Sequence, residues 1–108
     1  HYALKCAKEL KVYIVLKSAH TIIATPNGQC YINQTGNEAL AQAGSGDLLT
    51  GMLTALLAYH CDIFTSLRMG VWLHGYIADR LVEHHSKMHM NLEDYPGAVD
   101  QFFYENGY

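Results

Sequence analysis

The sequence predicts a mixed α/β domain, a layered sheet with flanking helices, and three observations carry that expectation. A continuous apolar, β-branched run, Val12-Tyr13-Ile14-Val15-Leu16, follows a helical opening. Pro26-Asn27-Gly28 divides two short strand-like segments, and a glycine-rich stretch opens directly onto an apolar helical segment with a second helix behind it. Helix, strand, hairpin and helix pair, in that order, suit one edge of a layered sheet domain.

The first helix is read from Leu4, Ala7 and Leu10, spaced so as to share one face. That pattern is already under way at His1, so the natural protein is expected to extend upstream. The run at 12–16 has the composition of a strand buried on both faces of a parallel sheet, and Lys17 ends it with a charge. Thr21-Ile22-Ile23-Ala24 and Gln29-Cys30-Tyr31-Ile32-Asn33 flank a turn in which Asn-Gly can take positive backbone angles, which predicts a hairpin.

From Gln34 to Asp47 the chain is rich in Gly, Thr and Asn, and residues 48–59 are then apolar nearly all round, the pattern of a buried helix entered from a glycine loop. Thr65-Ser66 can cap a second helix running to about Ser86, with Met69, Val71, Trp72, Ile77, Ala78, Leu81 and Val82 on its apolar positions. Residues 91–97 read as a polar turn, and residues 98–104 as a short last helix ending at Gly107.

At 108 residues the chain is one domain at most, and short for a complete α/β enzyme. Half of it is hydrophobic and 16% is charged, the balance of a folded domain. A net charge of −3, with 7 Lys and Arg dispersed along the chain, offers no stripe for a polyanionic backbone, so nucleic acid is not expected as a partner. Cys6, Cys30 and Cys61 lie far apart without a Cys-x-x-Cys spacing, which points away from a disulfide framework or zinc site and towards a reducing cytoplasm. No basic-then-apolar leader opens the chain, and the apolar stretch at 48–59 is too short to cross a bilayer, so no membrane partner is expected.

Chemistry concentrates at Ala43-Gly44-Ser45-Gly46-Asp47-Leu48-Leu49-Thr50-Gly51. Glycines let backbone amides crowd around an anion at a helix N-terminus, where the helix adds partial positive charge. Phosphate is the expected guest. An Asp in the first turn is also favourable as a helix cap or dipole partner, and physics alone leaves capping and catalysis both open for Asp47. Lys17 suits a solvated strand end as well as a phosphate contact, and Asn37 suits an Asx turn. His74, on an apolar helix beside Gly75, reads as a packed, hydrogen-bonded core histidine. His85 and His89, with His84 beside them, would share a helical face, yet no third metal ligand is apparent, and a solvated helix end accounts for them; no metal site is expected. Tyr95, Tyr104, Tyr108 and the Phe102-Phe103 pair read as core or interface aromatics.

The glycine run resembles the anion-hole and catalytic-aspartate signature of the ribokinase-like superfamily. Thr35-Gly36-Asn37, then Leu40-Ala41, then the run from Gly44 to Gly51 looks like the ADP/ATP-dependent NAD(P)H-hydrate dehydratases. Val71-Trp72-Leu73-His74-Gly75 with Ala78-Asp79 is similar to a second helical segment of that family, and Lys17-Ser18-Ala19-His20-Thr21 to its strand-end stretch that contacts the adenine nucleotide. Glu38-Ala39 and His20 depart from the residues usual in the family. Related vitamin kinases usually carry Cys at the Asp47 position, which points away from them.

The resemblance implies that residues 1–108 are the C-terminal portion of one ribokinase-like nucleotide-binding domain. It implies that Asp47 contacts the substrate and deprotonates its ring hydroxyl, that Gly44, Ser45 and Gly46 form an anion hole, and that Lys17, Ser18, Ala19, His20, Thr21, Asn37 and Gly46 bind the nucleotide. The implied cofactors are ADP or ATP with Mg2+, and the implied substrate is hydrated NADH or NADPH, phosphorylated on the ring hydroxyl and then stripped of phosphate. A cytoplasmic homo-oligomer is expected. Two alternatives stand beside it: a ribokinase-like sugar or other small-molecule kinase, and an inactive fragment that only self-associates through uncovered apolar helix and sheet edges.

Overall fold

The computed structural model describes residues 2–59, 62–84 and 91–107. Helix α1 (Tyr2–Leu10) comes first, and its C-terminus is closed by Lys11 in the left-handed region (φ 57°). The Val12 N–H reaches back to the Ala7 carbonyl at 3.1 Å, a Schellman closure that satisfies one of the helix's orphan carbonyls. Strands β1 (Ile14–Leu16), β2 (Ile22–Ala24) and β3 (Cys30–Ile32) follow and form a three-stranded sheet in the order β1-β2-β3. Both pairings are antiparallel, with Val15 opposite Ile23 and Ile23 opposite Tyr31. The hairpin turns where expected, and Gly28 holds the positive φ (97°) that the reversal needs.

The parallel pairing expected for the run at 12–16 is corrected. Among the described residues its partner is β2, running antiparallel, and Val12 and Tyr13 lie outside the strand and are exposed. The connection at 17–21 is too short for the crossover that parallel neighbours require, so the chain returns alongside itself. The cover on both faces that the apolar run predicts does hold, because helices lie against both faces of the sheet. Ala3 and Ala7 of α1 pack with Ala24 and Ile14 on one face, whereas Ile23, Val15 and Tyr31 on the other meet Leu49, Leu67 and Val71.

Those last residues come from α2 (Ser45–Tyr59) and α3 (Ile63–His84), the most extensive helix pairing in the fold. Gly70 allows their close approach, since a Cβ there would fall 2.5 Å from Leu53 Cδ2. Helix α2 begins earlier than the apolar pattern suggested and is not a buried helix. Only Ser45 and Leu49 are buried on it, and Leu57 and Tyr59 are exposed, because one face meets the sheet and α3 and the rest meets solvent. The cap of α3 also shifts. Asp62, not Thr65 or Ser66, accepts from the Thr65 N–H through Oδ2 at 2.8 Å, and those hydrogen bonds hold its carboxyl below the usual range. Helix α3 ends at His84, so the end expected near Ser86 and the group of His84, His85 and His89 side chains lie outside the described residues.

Asn91 caps a short turn at 92–94, and α4 (Tyr95–Glu105) follows with Pro96 in its first turn. It starts before residue 98, because Pro96 is pre-set for a helix start rather than for the polar turn read there. Gly107 takes a positive φ just beyond its end. Helix α4 packs on α3 through Tyr95, Ala98, Val99, Phe102 and Phe103 around Leu73, Ile77 and Ala78. Tyr95 is wholly buried, whereas Tyr104 is exposed to solvent and belongs to no core; Tyr108 lies outside the described residues. No helix among the described residues is long and apolar enough to cross a membrane.

Candidate functional site

The β1–β2 connection, the segment that leads from β3 into α2, and the middle of α3 enclose a cavity of about 870 Å³. Lys17, Ser18, Ala19, His20 and Thr21 line it from the first, Asn37, Ser45 and Gly46 from the second, and Val71, His74 and Gly75 from the third. Every residue expected to touch a nucleotide therefore faces one space. Gly44 and Asp47 are not among its lining residues; they flank Ser45 and Gly46 in the chain.

The connection at 17–21 is folded on itself: the Ser18 hydroxyl donates to the His20 carbonyl at 2.8 Å, and the Thr21 hydroxyl approaches the Ser18 carbonyl at 3.5 Å. The segment after β3 is laced to α3. Asn33, buried, donates through Nδ2 to the Thr35 and Val71 carbonyls, and the Thr35 hydroxyl donates to the Trp72 carbonyl at 2.8 Å. Asp79 accepts from the Gly36 N–H at 3.0 Å and from Asn37 Nδ2 at 2.8 Å. Asn37 Oδ1 in turn accepts from the Ala39 N–H at 2.9 Å, capping a short turn at 38–40. Both ends of the Asn37 amide are thus engaged in holding the loop. The cavity wall is built from side chains spent on backbone, which is how a loop is kept in one shape.

At the start of α2, Gly44 takes a positive φ (94°) and offers its carbonyl to the Leu48 N–H at 3.1 Å. The Ser45 N–H is already donated to the Gln42 carbonyl at 3.2 Å. The Gly46 and Asp47 N–H groups, in the first turn, have no carbonyl one turn back inside the helix to satisfy them. Lys17 comes to the same place: its Nζ lies 2.7 Å from where a Gly46 Cβ would stand, so the glycine leaves room for the ammonium. A lysine and a helix N-terminus converging on one end of a cavity make a site for an anion. Asp47 is exposed, and its carboxylate has no hydrogen bond among the described residues.

His74 stands behind this loop. It is buried, its Nε2 lies 3.1 Å from the Ser45 carbonyl oxygen and 3.5 Å from Ser45 Oγ, and the Tyr95 hydroxyl donates to its backbone carbonyl. Burial, above all, pushes its pKa below the usual imidazole range; the Ser45 hydrogen bond opposes this and the nearby Lys17 charge adds to it. Burial likewise pushes the Tyr95 phenol up, with the Asp79 charge adding to the shift. The sequence reading of His74 as a packed core histidine holds for its burial and hydrogen bonding, yet the residue also lines the cavity. That role had no local signal, because Ser45 and His74 are 29 positions apart. Asp79 falls in a segment that carries the resemblance but has no site signal of its own, and Gln42, which also lines the cavity, has none either.

The family described as NAD(P)H-hydrate dehydratase matches residues 1–96. Among curated relatives, the bifunctional NAD(P)H-hydrate repair enzyme Nnr of Thermofilum pendens is 49% identical over 81 residues, 75% of this chain and 16% of that protein. The ADP-dependent (S)-NAD(P)H-hydrate dehydratase of Bacillus subtilis is 45% identical over 85 residues, 79% of this chain and 31% of that protein. Among solved structures, the ADP/ATP-dependent NAD(P)H-hydrate dehydratase of Bacillus subtilis, co-crystallised with ATP/Mg2+ and soaked with CoA, superposes with a TM-score of 0.90 at 36% identity, over 96% of this chain and 38% of that one. A ribokinase-like superfamily protein from Enterococcus faecalis superposes with a TM-score of 0.70 at 32% identity, over 74% of this chain and 28% of its own. The chain spans less than a third of either curated relative.

Proposed function

The chain belongs to the NAD(P)H-hydrate dehydratase family and has the ribokinase-like fold, and from that membership we propose that the enzyme carrying it dehydrates hydrated NADH and NADPH at the expense of ADP or ATP. The observation that carries the proposal is the meeting of Lys17 Nζ and the open N-terminus of α2 at one end of a nucleotide-sized cavity, with the unbonded carboxylate of Asp47 next in the chain.

In this reading the nucleotide lies along Lys17, Ser18, Ala19, His20 and Thr21 and against the Asn37 loop, with its phosphates towards Gly46. Asp47 contacts the substrate and removes the proton from its ring hydroxyl. That oxygen then attacks the terminal phosphorus, and the bond from phosphorus to the leaving nucleotide breaks. Lys17 and the amides of the turn at Gly44, Ser45 and Gly46 stabilise the charge on the transferring group, each well-placed donor contributing about 3 kcal/mol to such a step. Because Ser45's N–H is committed to Gln42, the amides of Gly46 and Asp47 take the larger share. The ring carbon–oxygen bond then breaks, phosphate departs with that oxygen, the adjacent ring carbon gives up a proton to water, and the carbon–carbon double bond so formed restores the reduced nicotinamide.

The described residues gather no group of three or more His, Cys, Asp or Glu. No residue is therefore assigned to Mg2+, which in sites of this kind is carried mainly by nucleotide phosphates and water. The proposal extends to assembly: the chain forms the C-terminal portion of one domain, other strands of which would cover the exposed Val12 and Leu16 at β1, within a cytoplasmic homo-oligomer. Light scattering of the full-length protein checks the oligomer.

The activity is tested by incubating the full-length protein with NADH hydrate and ADP or ATP. Absorbance is expected to return at the reduced-nicotinamide band. Accumulation of a stable phosphorylated product, without that return, would overturn the proposal.

A further inference from the structure

We propose that His74 is a positioning residue for the phosphate end of the cavity, fixing the Ser45–Gly46 peptide so that the Gly46 N–H is held ready for a nucleotide phosphate. This rests on the nucleotide-binding reading above. His74 Nε2 lies 3.1 Å from the Ser45 carbonyl oxygen. A carbonyl can only accept, so Nε2 is the nitrogen that carries the hydrogen. The Ser45 carbonyl and the Gly46 N–H belong to one planar peptide unit; anchoring one end sets the direction of the other, and a hydrogen bond on the oxygen also polarises the N–H.

Nothing at position 46 can do this for itself. Glycine has no side chain to brace its own amide, and the space beside it belongs to the Lys17 ammonium. His74, by contrast, is held firmly. It is 7% exposed, the Tyr95 hydroxyl binds its carbonyl, and the next residue, Gly75, is packed against Thr35 and Gly36. Burial and Lys17 both disfavour the imidazolium form, so the positive charge directed at a phosphate stays with Lys17 and the helix end. The brace is neutral, and it reaches the ligand only through Ser45 and Gly46.

The test uses the full-length protein, with ADP and adenosine as probes in calorimetric titrations of wild type, His74→Asn and His74→Gln. A Gln amide can reach the position of Nε2; an Asn amide falls short. In His74→Asn the dissociation constant for ADP is expected to rise about tenfold while that for adenosine stays unchanged, and His74→Gln should recover most of the loss. Equal weakening of ADP and adenosine in both variants would mark His74 as structural support only and overturn the inference. So would ADP binding that is unchanged in His74→Asn. A wild-type protein that does not distinguish ADP from adenosine would overturn the nucleotide-phosphate reading itself, and the inference with it.

Discussion

Asp47 stands in solvent in the first turn of α2, not folded back onto the amides of its own helix. A carboxylate serving as a cap would be bonded there; this one is left available to a ligand. Replacing Asp47 with Asn is expected to preserve ADP binding while cutting turnover by about 10²–10⁴-fold, the usual consequence of losing a general base. Near-normal turnover in that variant would reduce Asp47 to a partner of the helix dipole. His74 supplies a second test through proton linkage. Its folded-state pKa lies below 6.5, so on acidification the unfolded chain takes up a proton that the folded chain refuses. Stability is therefore complete above the ordinary imidazole range and declines as pH falls through it towards the folded-state value. Denaturant melts at about pH 7.5 and about pH 5.5 should show this decline in wild type and a smaller one in His74→Gln. An identical decline in the two proteins would assign it to other groups.

Helix α3 is the element on which the cavity depends, since it receives the Thr35 loop at Trp72 and Gly75, the Asn37 turn at Asp79 and the α2 entry at His74. At Gly75 a methyl group would meet the Thr35 backbone carbonyl carbon at 2.5 Å and the Gly36 nitrogen at 2.7 Å, and neither can step aside cheaply. Gly75→Ala is accordingly expected to destabilise the fold by ~1–3 kcal/mol and to weaken ADP binding as the loop is displaced. A variant with wild-type melting and wild-type affinity would show that the loop is looser than its packing indicates. The local elements could be read from sequence where their cause is local. Asn27-Gly28 announced the hairpin, and the glycine turn announced the start of α2. Where the cause is a distant neighbour, sequence gave less. The β-branched run at 12–16 declares burial but not the direction of its partner, and no spacing rule links His74 to Ser45 or Asp79 to Asn37. The residues expected to touch a nucleotide were anticipated through a resemblance and all line the cavity, whereas Asn33, Gln42 and His74 line it without having been expected there, and what braces the wall came only from the packing.

For the molecule as a whole, a ligand that binds the folded state and not the unfolded one raises stability by mass action. ADP at a hundred times its dissociation constant is expected to add ~2.7 kcal/mol to unfolding free energy, and so to raise the melting temperature. Adenosine at the same concentration should add less, because in the proposed reading it is the phosphate that Lys17 and the α2 N-terminus hold. Equal shifts for ADP and adenosine would remove the phosphate from the site's recognition. The fold gives this coupling a short path, because sheet, α2 and α3 meet in one cluster built on Ile23, Leu49, Leu67 and Val71, directly beside residues of the cavity wall.

The anchoring of Thr35 on the Trp72 carbonyl has an optical consequence. Trp72 is the sole tryptophan of the sequence, and its indole is stacked on the Tyr76 ring with centroids 4.7 Å apart while its backbone holds the cavity loop. A guest that presses on Thr35 is expected to shift the peptide from which that indole hangs, so that the emission of the one tryptophan would serve as a gauge of occupancy, readable without a label.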